Sequence, residues 1–235
     1  MRVGFYASAV AVLALISFAP APTFAARTPV TDMDGGATHP ALFGSREIHA
    51  QSTWRFKQWT DMLERTQYEI DRSPGVCKIN REENCMPQEW RQLLDQMANL
   101  DLRGKLELAN HALNQQPYVT TEQNWHRVMY WETPYEFLRY GGQCQDYAIA
   151  KYHLLREAGV PIEDLRMVVL HDTANGLDHA VLAAYVDGDA LLLDNLNPQI
   201  VPADSVDIYR PYYSINETGW WLHIGGRAMS RVASN

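Results

Sequence analysis

The sequence predicts an α+β fold in which helices come first and an antiparallel β-sheet follows. Up to about residue 160, apolar side chains recur at helical spacing, and beyond it the apolar period changes to two. An Asp-Gly-Asp turn at 187–189 separates two apolar strand segments and is typical of a β-hairpin. Helices followed by hairpin-connected strands are the pattern of an α+β domain.

The helical part divides into segments with recognisable starts and stops. Apolar periodicity predicts amphipathic helices over 45–73, from Pro87 onward and over about 101–114. The Thr133 to Glu136 segment has the form of a capping box and predicts a short helix that ends at Gly141-Gly142. The next helix starts at Cys144 and stops near Gly159. Because this helix is apolar on most sides, we expect it in the centre of the domain.

The strands are predicted where the apolar period is two. Three segments have this pattern, LRMVVL (165–170), HAVLAAYV (179–186) and DALLLDNL (189–196), and a weaker one lies near 206–214. The Asp-Gly-Asp turn should pair the second segment with the third.

The N-terminus has the form of an export signal. Arg2 precedes an apolar run over 3–19 and a small-residue stretch, with cleavage expected after Ala25. The expected organisation is a signal peptide (1–25), a flexible lead (26–44), one folded domain (45–225) and a C-terminal tail (226–235). We therefore expect a periplasmic protein without a membrane span.

The charge balance bears on partners. The formal net charge is −8, and the sequence contains no run of Lys and Arg. This balance supports solubility and argues against a nucleic-acid partner.

Three cysteines leave one thiol unpaired if two of them join. Cys77 and Cys85 flank a polar loop, and an oxidising compartment favours a disulfide between them. Zinc is the rival interpretation, but no second cysteine pair and no suitably spaced histidine follow the loop. Cys144 is then the free thiol, either buried and inert or reactive.

Cys144 stands at a predicted helix start, where unpaired N–H groups and the helix dipole stabilise a thiolate. The Gly141-Gly142 pair before it would allow close approach of a substrate backbone, and the Cys144 N–H could donate to an oxyanion. A cysteine at a helix start also occurs for structural reasons, so a base has to be found.

His179 and Asp194 are the candidates for base and orienting acid. His171 also lies at a strand end, but His179 opens the second strand directly after a polar loop and is preferred. Asp194 ends the apolar third strand, where a carboxylate is costly unless it is paired with a group such as an imidazole. The alternative is that Asp194 only caps the strand.

Three pieces of sequence carry a family resemblance: GGQCQDYAIAKYHLLREAGVP, LDHAVLAAY and LLLDNLNPQI, with WETPYEFL upstream. They resemble the bacterial transglutaminase-like cysteine peptidases over about residues 45 to 222. The resemblance implies a papain-like fold and a triad of Cys144, His179 and Asp194. It also implies a periplasmic protease that cuts the N-terminal region of a large surface adhesin, releases biofilm cells and is controlled by an inner-membrane receptor.

One departure concerns calcium. The family usually has Asp and Glu beside the cysteine, and its calcium-binding members use them, whereas this chain has Gln143 and Gln145. Because calcium prefers several carboxylate oxygens, we expect binding to be weakened and no cofactor to be required. Asp146 is retained and is the candidate ligand if calcium binds. The two amides could instead donate hydrogen bonds to the thiolate.

Other roles and functions stay open on sequence alone. Gln123, Trp131 and Gln143 are candidates for the substrate cleft or the second oxyanion donor. Besides proteolysis, the same thioester chemistry could serve acyl transfer to an amine. A catalytically inactive relative that acts as a binding module is the third hypothesis.

Overall fold

The structure is a computed structural model that describes residues 39–73, 75–77 and 85–226. The expected signal peptide, residues 26–38 of the lead and residues 227–235 of the tail lie outside the described residues. None of the helices in the described ranges is long and apolar enough to cross a membrane.

The architecture confirms the α+β prediction. The helices are α1 (Lys57–Arg72), α2 (Gln88–Met97), α3 (Leu102–Leu113), α4 (Thr121–Trp125), α5 (Pro134–Tyr140) and α6 (Cys144–Glu157). The strands are β1 (Arg46–Ala50), β2 (Leu165–Asp172), β3 (Leu177–Val186), β4 (Asp189–Leu193), β5 (Val201–Pro202), β6 (Tyr209–Ile215) and β7 (Trp220–Ile224). They form one antiparallel sheet in the order β1-β7-β6-β2-β3-β4-β5.

One helix prediction is wrong at its start. The predicted helix over 45–73 begins as strand β1, and only α1 is helical. β1 pairs with β7, with Arg46 opposite Ile224, at the far end of the described chain. A pairing partner so distant in sequence overrides a local helical pattern, because strand stability depends on its neighbours more than on its own residues.

Helix α6 packs across the sheet, with β3 as its main sheet partner. Side chains alternate along β3: Leu182 and Ala184 belong to the core under the helices, while Val181 and Ala183 belong to a second core on the other face. Both faces are covered, so the strands read as near-continuous apolar runs.

The second face is covered in part by residues expected in the flexible lead. Leu42 and Phe43 are buried, at 0% and 4% exposure, in the second core. The flexible-lead assignment is therefore wrong for this pair. Two adjacent apolar side chains can both turn inward here because Phe43 and Gly44 take positive φ angles of 55° and 64°.

The disulfide lies on the helical side of the domain. Cys77 and Cys85 are joined, with their Cα atoms 5.1 Å apart, and Cys144 is free. Arg139 of α5 donates to the carbonyl of Cys85 at 2.9 Å. This bond ties the cross-linked segment to the short helix that precedes the free cysteine.

Candidate active site

Cys144 is the first residue of α6, as the sequence predicted. The chain before it pairs with another loop: Val119 N–H donates to Gly142 O, and Gly142 N–H donates to Pro117 O. Gly141 has φ +72°, and a Cβ there would lie 2.3 Å from Pro117 O. The two glycines therefore allow another segment of the protein's own backbone to come close. From the sequence, they were expected to allow the approach of a substrate backbone.

Helix α5 holds this approach in place. Thr133 Oγ1 accepts from Glu136 N–H, and Glu136 Oε2 accepts from Thr133 N–H, so the predicted capping box is formed. The helix ends at Gly141, whose N–H donates to Phe137 O. A capped helix of two turns therefore fixes the direction in which the chain approaches Cys144.

His179 and Asp194 meet across the β3–β4 hairpin. Leu193 is opposite Leu182, and Asp194 follows at the end of β4. His179 Nε2 lies 2.9 Å from Asp194 Oδ1, and both residues are buried, at 6% and 4% exposure. Asp194 therefore binds an imidazole, so it does more than cap the strand.

Asp194 has two further donors. Leu196 N–H donates to Oδ1 at 2.9 Å, and the Tyr209 hydroxyl of β6 donates to Oδ2 at 2.5 Å. The ring of Tyr209 also lies 5.8 Å from the His179 ring, centroid to centroid. Sequence reasoning missed Tyr209, because its only signal was membership of a weak strand. These bonds leave the carboxylate one orientation toward His179.

The electrostatics favour a charged histidine. Burial alone would lower the pKa of His179, but hydrogen bonds with Asp194 and Cys144, together with their charges, raise it to about 9. Burial would raise the pKa of Asp194, yet the hydrogen bond from His179 and its charge hold that pKa below its usual value. At neutral pH the site therefore favours an imidazolium between a carboxylate and a thiol.

His171, the alternative candidate for the base, lies away from Asp194. Its Nδ1 lies 3.1 Å from Asp178 Oδ1 at the exposed end of the β2–β3 pair, and Asp178 also accepts from Tyr212. His179 is the residue brought to Asp194. The sequence preference for His179 over His171 agrees with this geometry.

The three residues predicted to line the cleft make structural contacts near the helices. Gln123 Oε1 accepts from Thr120 N–H in the capping box of α4, and the side chain is exposed. Trp131 is half-buried against the main core. Gln143 Oε1 accepts from Thr121 N–H at 3.0 Å and from its hydroxyl at 2.6 Å, which ties α4 to the start of α6.

Asp146 caps α6 from within. Its Oδ2 accepts from Gln143 N–H and Gln145 Nε2, and its Oδ1 accepts from Glu132 N–H. Gln145 thus donates to Asp146 and turns its Oε1 toward the Cys144 thiol, 3.6 Å away. The expectation that this amide donates to the thiolate is wrong for Gln145, because Asp146 is the stronger acceptor.

These residues do not fit a calcium site of the usual kind. Calcium takes six to eight oxygen ligands, but both oxygens of Asp146 already accept N–H groups, and Gln143 Oε1 is taken by Thr121. Glu132, buried at 1% exposure, accepts from Asn124 and Trp125 through Oε1 and leaves Oε2 without a partner. One vacant carboxylate oxygen is too few ligands for the ion.

A central helix that starts with a free cysteine and packs on an antiparallel sheet, with a histidine and an aspartate paired on that sheet, is consistent with a cysteine peptidase of papain-like fold. The profile of one family, described as bacterial transglutaminase-like cysteine proteinase BTLCP, matches residues 74–229. The chain belongs to this family.

Solved structures of LapG from Legionella pneumophila are similar to this chain. The calcium-bound form is 32% identical, with a TM-score of 0.53 over 60% of this chain and 81% of LapG. The EGTA-treated form is 28% identical, with a TM-score of 0.55 over 73% of this chain and 92% of LapG. No curated protein sequence matches significantly.

Proposed function

We propose that this protein is a periplasmic cysteine endopeptidase with Cys144, His179 and Asp194 as its catalytic triad. The observation that carries the proposal is the buried 2.9 Å contact between His179 Nε2 and Asp194 Oδ1, at a histidine whose pKa is also raised by the Cys144 thiol. A cysteine, a base and an orienting acid linked in this order are the parts that nucleophilic acyl transfer needs.

In the proposed reaction the thiolate of Cys144 attacks the scissile carbonyl carbon. The imidazolium of His179 gives its proton to the leaving amine as the C–N bond breaks, which leaves a thioester. As the first residue of α6, Cys144 has a backbone N–H without an acceptor in the helix, and it can donate to the oxyanion. His179 then takes a proton from water, whose oxygen attacks the thioester and restores the thiolate.

The proposed substrate is the N-terminal region of a large exported adhesin, as the family resemblance implies, with an inner-membrane receptor as regulator. The test incubates the purified protein with such regions encoded in the same genome, and maps new N-termini by mass spectrometry. Cleavage by the wild type and its loss in Cys144→Ala are expected. A cross-linked product without a new N-terminus would instead support acyl transfer, and equal cleavage by both proteins would overturn the triad.

We also propose that this peptidase acts without calcium. The support is the hydrogen bonding of Asp146, which receives from Gln145 a donor where acidic relatives have another carboxylate. Labelling of Cys144 by iodoacetamide should therefore be the same in EGTA and in added calcium. The matched variant Gln143→Asp/Gln145→Glu should become calcium-responsive. Loss of wild-type labelling in EGTA, restored by micromolar calcium, would contradict the proposal.

A further inference from the structure

Lys151 is a lysine wholly inside the protein. It lies on α6 seven residues after Cys144, two helical turns along the same side of the helix, and its exposure is 0%. Lysine is almost never fully buried without a partner, because removing an ammonium group from water is costly. Lys151 takes part in no step of the proposed reaction, so the burial of its ammonium group has to be explained in another way.

The ammonium group is connected through Asn110 to the segment 194–198, which begins with Asp194. We call this connection the bridge. Lys151 Nζ donates to Asn110 Oδ1 at 2.8 Å, and Asn110, itself 1% exposed, donates through Nδ2 to the carbonyls of Asn197 and Pro198 at 3.3 Å. Within the part of the chain that the structure describes, Asn110 is the only hydrogen-bond acceptor of Lys151. The bridge holds the far end of the segment 194–198.

The near end of the same segment is held by the same helix. Asn114, at the end of α3, donates from Nδ2 to the backbone carbonyl of Asp194 at 2.9 Å. The segment 194–198 is therefore fixed at both ends by asparagines of α3, and one of these is itself held by Lys151 of α6. The nucleophile helix and the orienting acid are thus joined under the site by side chains that never reach the substrate.

Charge adds to this connection. Asp194 is the charged side chain that acts on Lys151, and burial lowers the pKa of Lys151 to about 7 while Asp194 opposes the shift. The ionisable groups that face Asp194 from the sheet are His179 and Tyr209, and the charge of His179 also lowers the pKa of Asp172 of β2. On the side of the helices, the positive charge of Lys151 interacts with the Asp194 carboxylate.

We infer that Lys151 is a positioning residue for the triad: it fixes the segment that carries Asp194 through Asn110, and its positive charge favours the ionised carboxylate. The inference rests on the proposed function, since it assigns a task to Lys151 only if Asp194 orients His179. It adds a group outside substrate contact to the machinery of the site.

The test is the pH profile of Cys144 labelling by iodoacetamide in Lys151→Met, which keeps the length and loses the charge. Charges within about 10 Å at an effective dielectric of about 20 interact by on the order of one pKa unit. The acid limb should therefore move up by about one pH unit, which means roughly tenfold slower labelling on that limb. Above pH 8, where Lys151 is largely neutral, the two profiles should converge.

A matched control is Lys105→Met. Lys105 donates to the carbonyl of Ala158 at 2.7 Å and lies on α3, as does Asn110, but it has no link to the segment 194–198. It should leave the limb unchanged. An unfolded fraction would be labelled at Cys144 as an ordinary thiol with a pKa of about 8.5, which would also displace the acid limb. Circular dichroism melts therefore accompany both proteins to show that they are folded.

Two failures are distinguishable. If wild-type Cys144 shows no labelling that depends on His179, the triad itself is overturned. If wild-type labelling depends on His179 and folded Lys151→Met keeps the wild-type acid limb, only the role of Lys151 is overturned.

Discussion

Replacing Asp194 with Asn removes the charge that orients and stabilises His179. Burial by itself would lower the pKa of His179, but contacts with Asp194 and Cys144 raise it from 6.5 to about 9. That difference corresponds to roughly 3 kcal/mol of preference for the imidazolium. Asp194 opposes the effect of burial more strongly than Cys144 does, so we assign most of this preference to it.

The sign of the effect follows from the raised pKa. The imidazolium, whose proton goes to the leaving amine in the proposed reaction, persists until the pH rises through about 9. In Asp194→Asn the histidine deprotonates at lower pH, so the basic limb of substrate cleavage should move down by about two pH units. At pH 8 the imidazolium fraction, and with it the rate of substrate cleavage, should fall roughly tenfold.

The assay is the rate of substrate cleavage against pH, with iodoacetamide labelling of Cys144 as the second readout, because labelling needs the thiolate but not the imidazolium. Asp178→Asn is the matched control, because Asp178 also contacts a histidine, His171, at 3.1 Å, but is exposed and makes no hydrogen bond to His179 or Cys144 among the described residues. It should leave the profile unchanged. A folded Asp194→Asn protein whose basic limb stays near pH 9 would refute the reasoning.

Two further predictions concern stability. Gly141→Ala should cost roughly 2 kcal/mol or more in the free energy of unfolding, since its Cβ would lie 2.3 Å from Pro117 O. Gly188→Ala, with φ +88° but open space around the Cβ, should cost about 1 kcal/mol, and equal melting shifts would contradict this account. Cys77→Ser/Cys85→Ser should lose about 2–3 kcal/mol because it opens the loop. Labelling of Cys144 in this folded variant should persist, and its loss would show that the disulfide shapes the site.

Local chemistry in the sequence determined the parts of the site that lie close together along the chain. The Thr133–Glu136 capping box predicted α5, and the double glycine predicted a helix start at Cys144. The Asp-Gly-Asp turn predicted the pairing of β3 with β4, which brings Asp194 toward His179. These signals work because caps, turns and alternation are properties of a few consecutive residues.

Tertiary structure alone decided the groups that come from distant elements. Tyr209 reaches Asp194 only because β6 pairs with β2, and Arg46–Ala50 becomes a strand only because β7 is beside it. The bridge from Lys151 through Asn110 has no sequence signal, since a lysine on an apolar helix and an asparagine on another acquire a relation only when the helices pack. Burial and long-range pairing set the charge and orientation of such groups, and neither is a property of neighbouring residues.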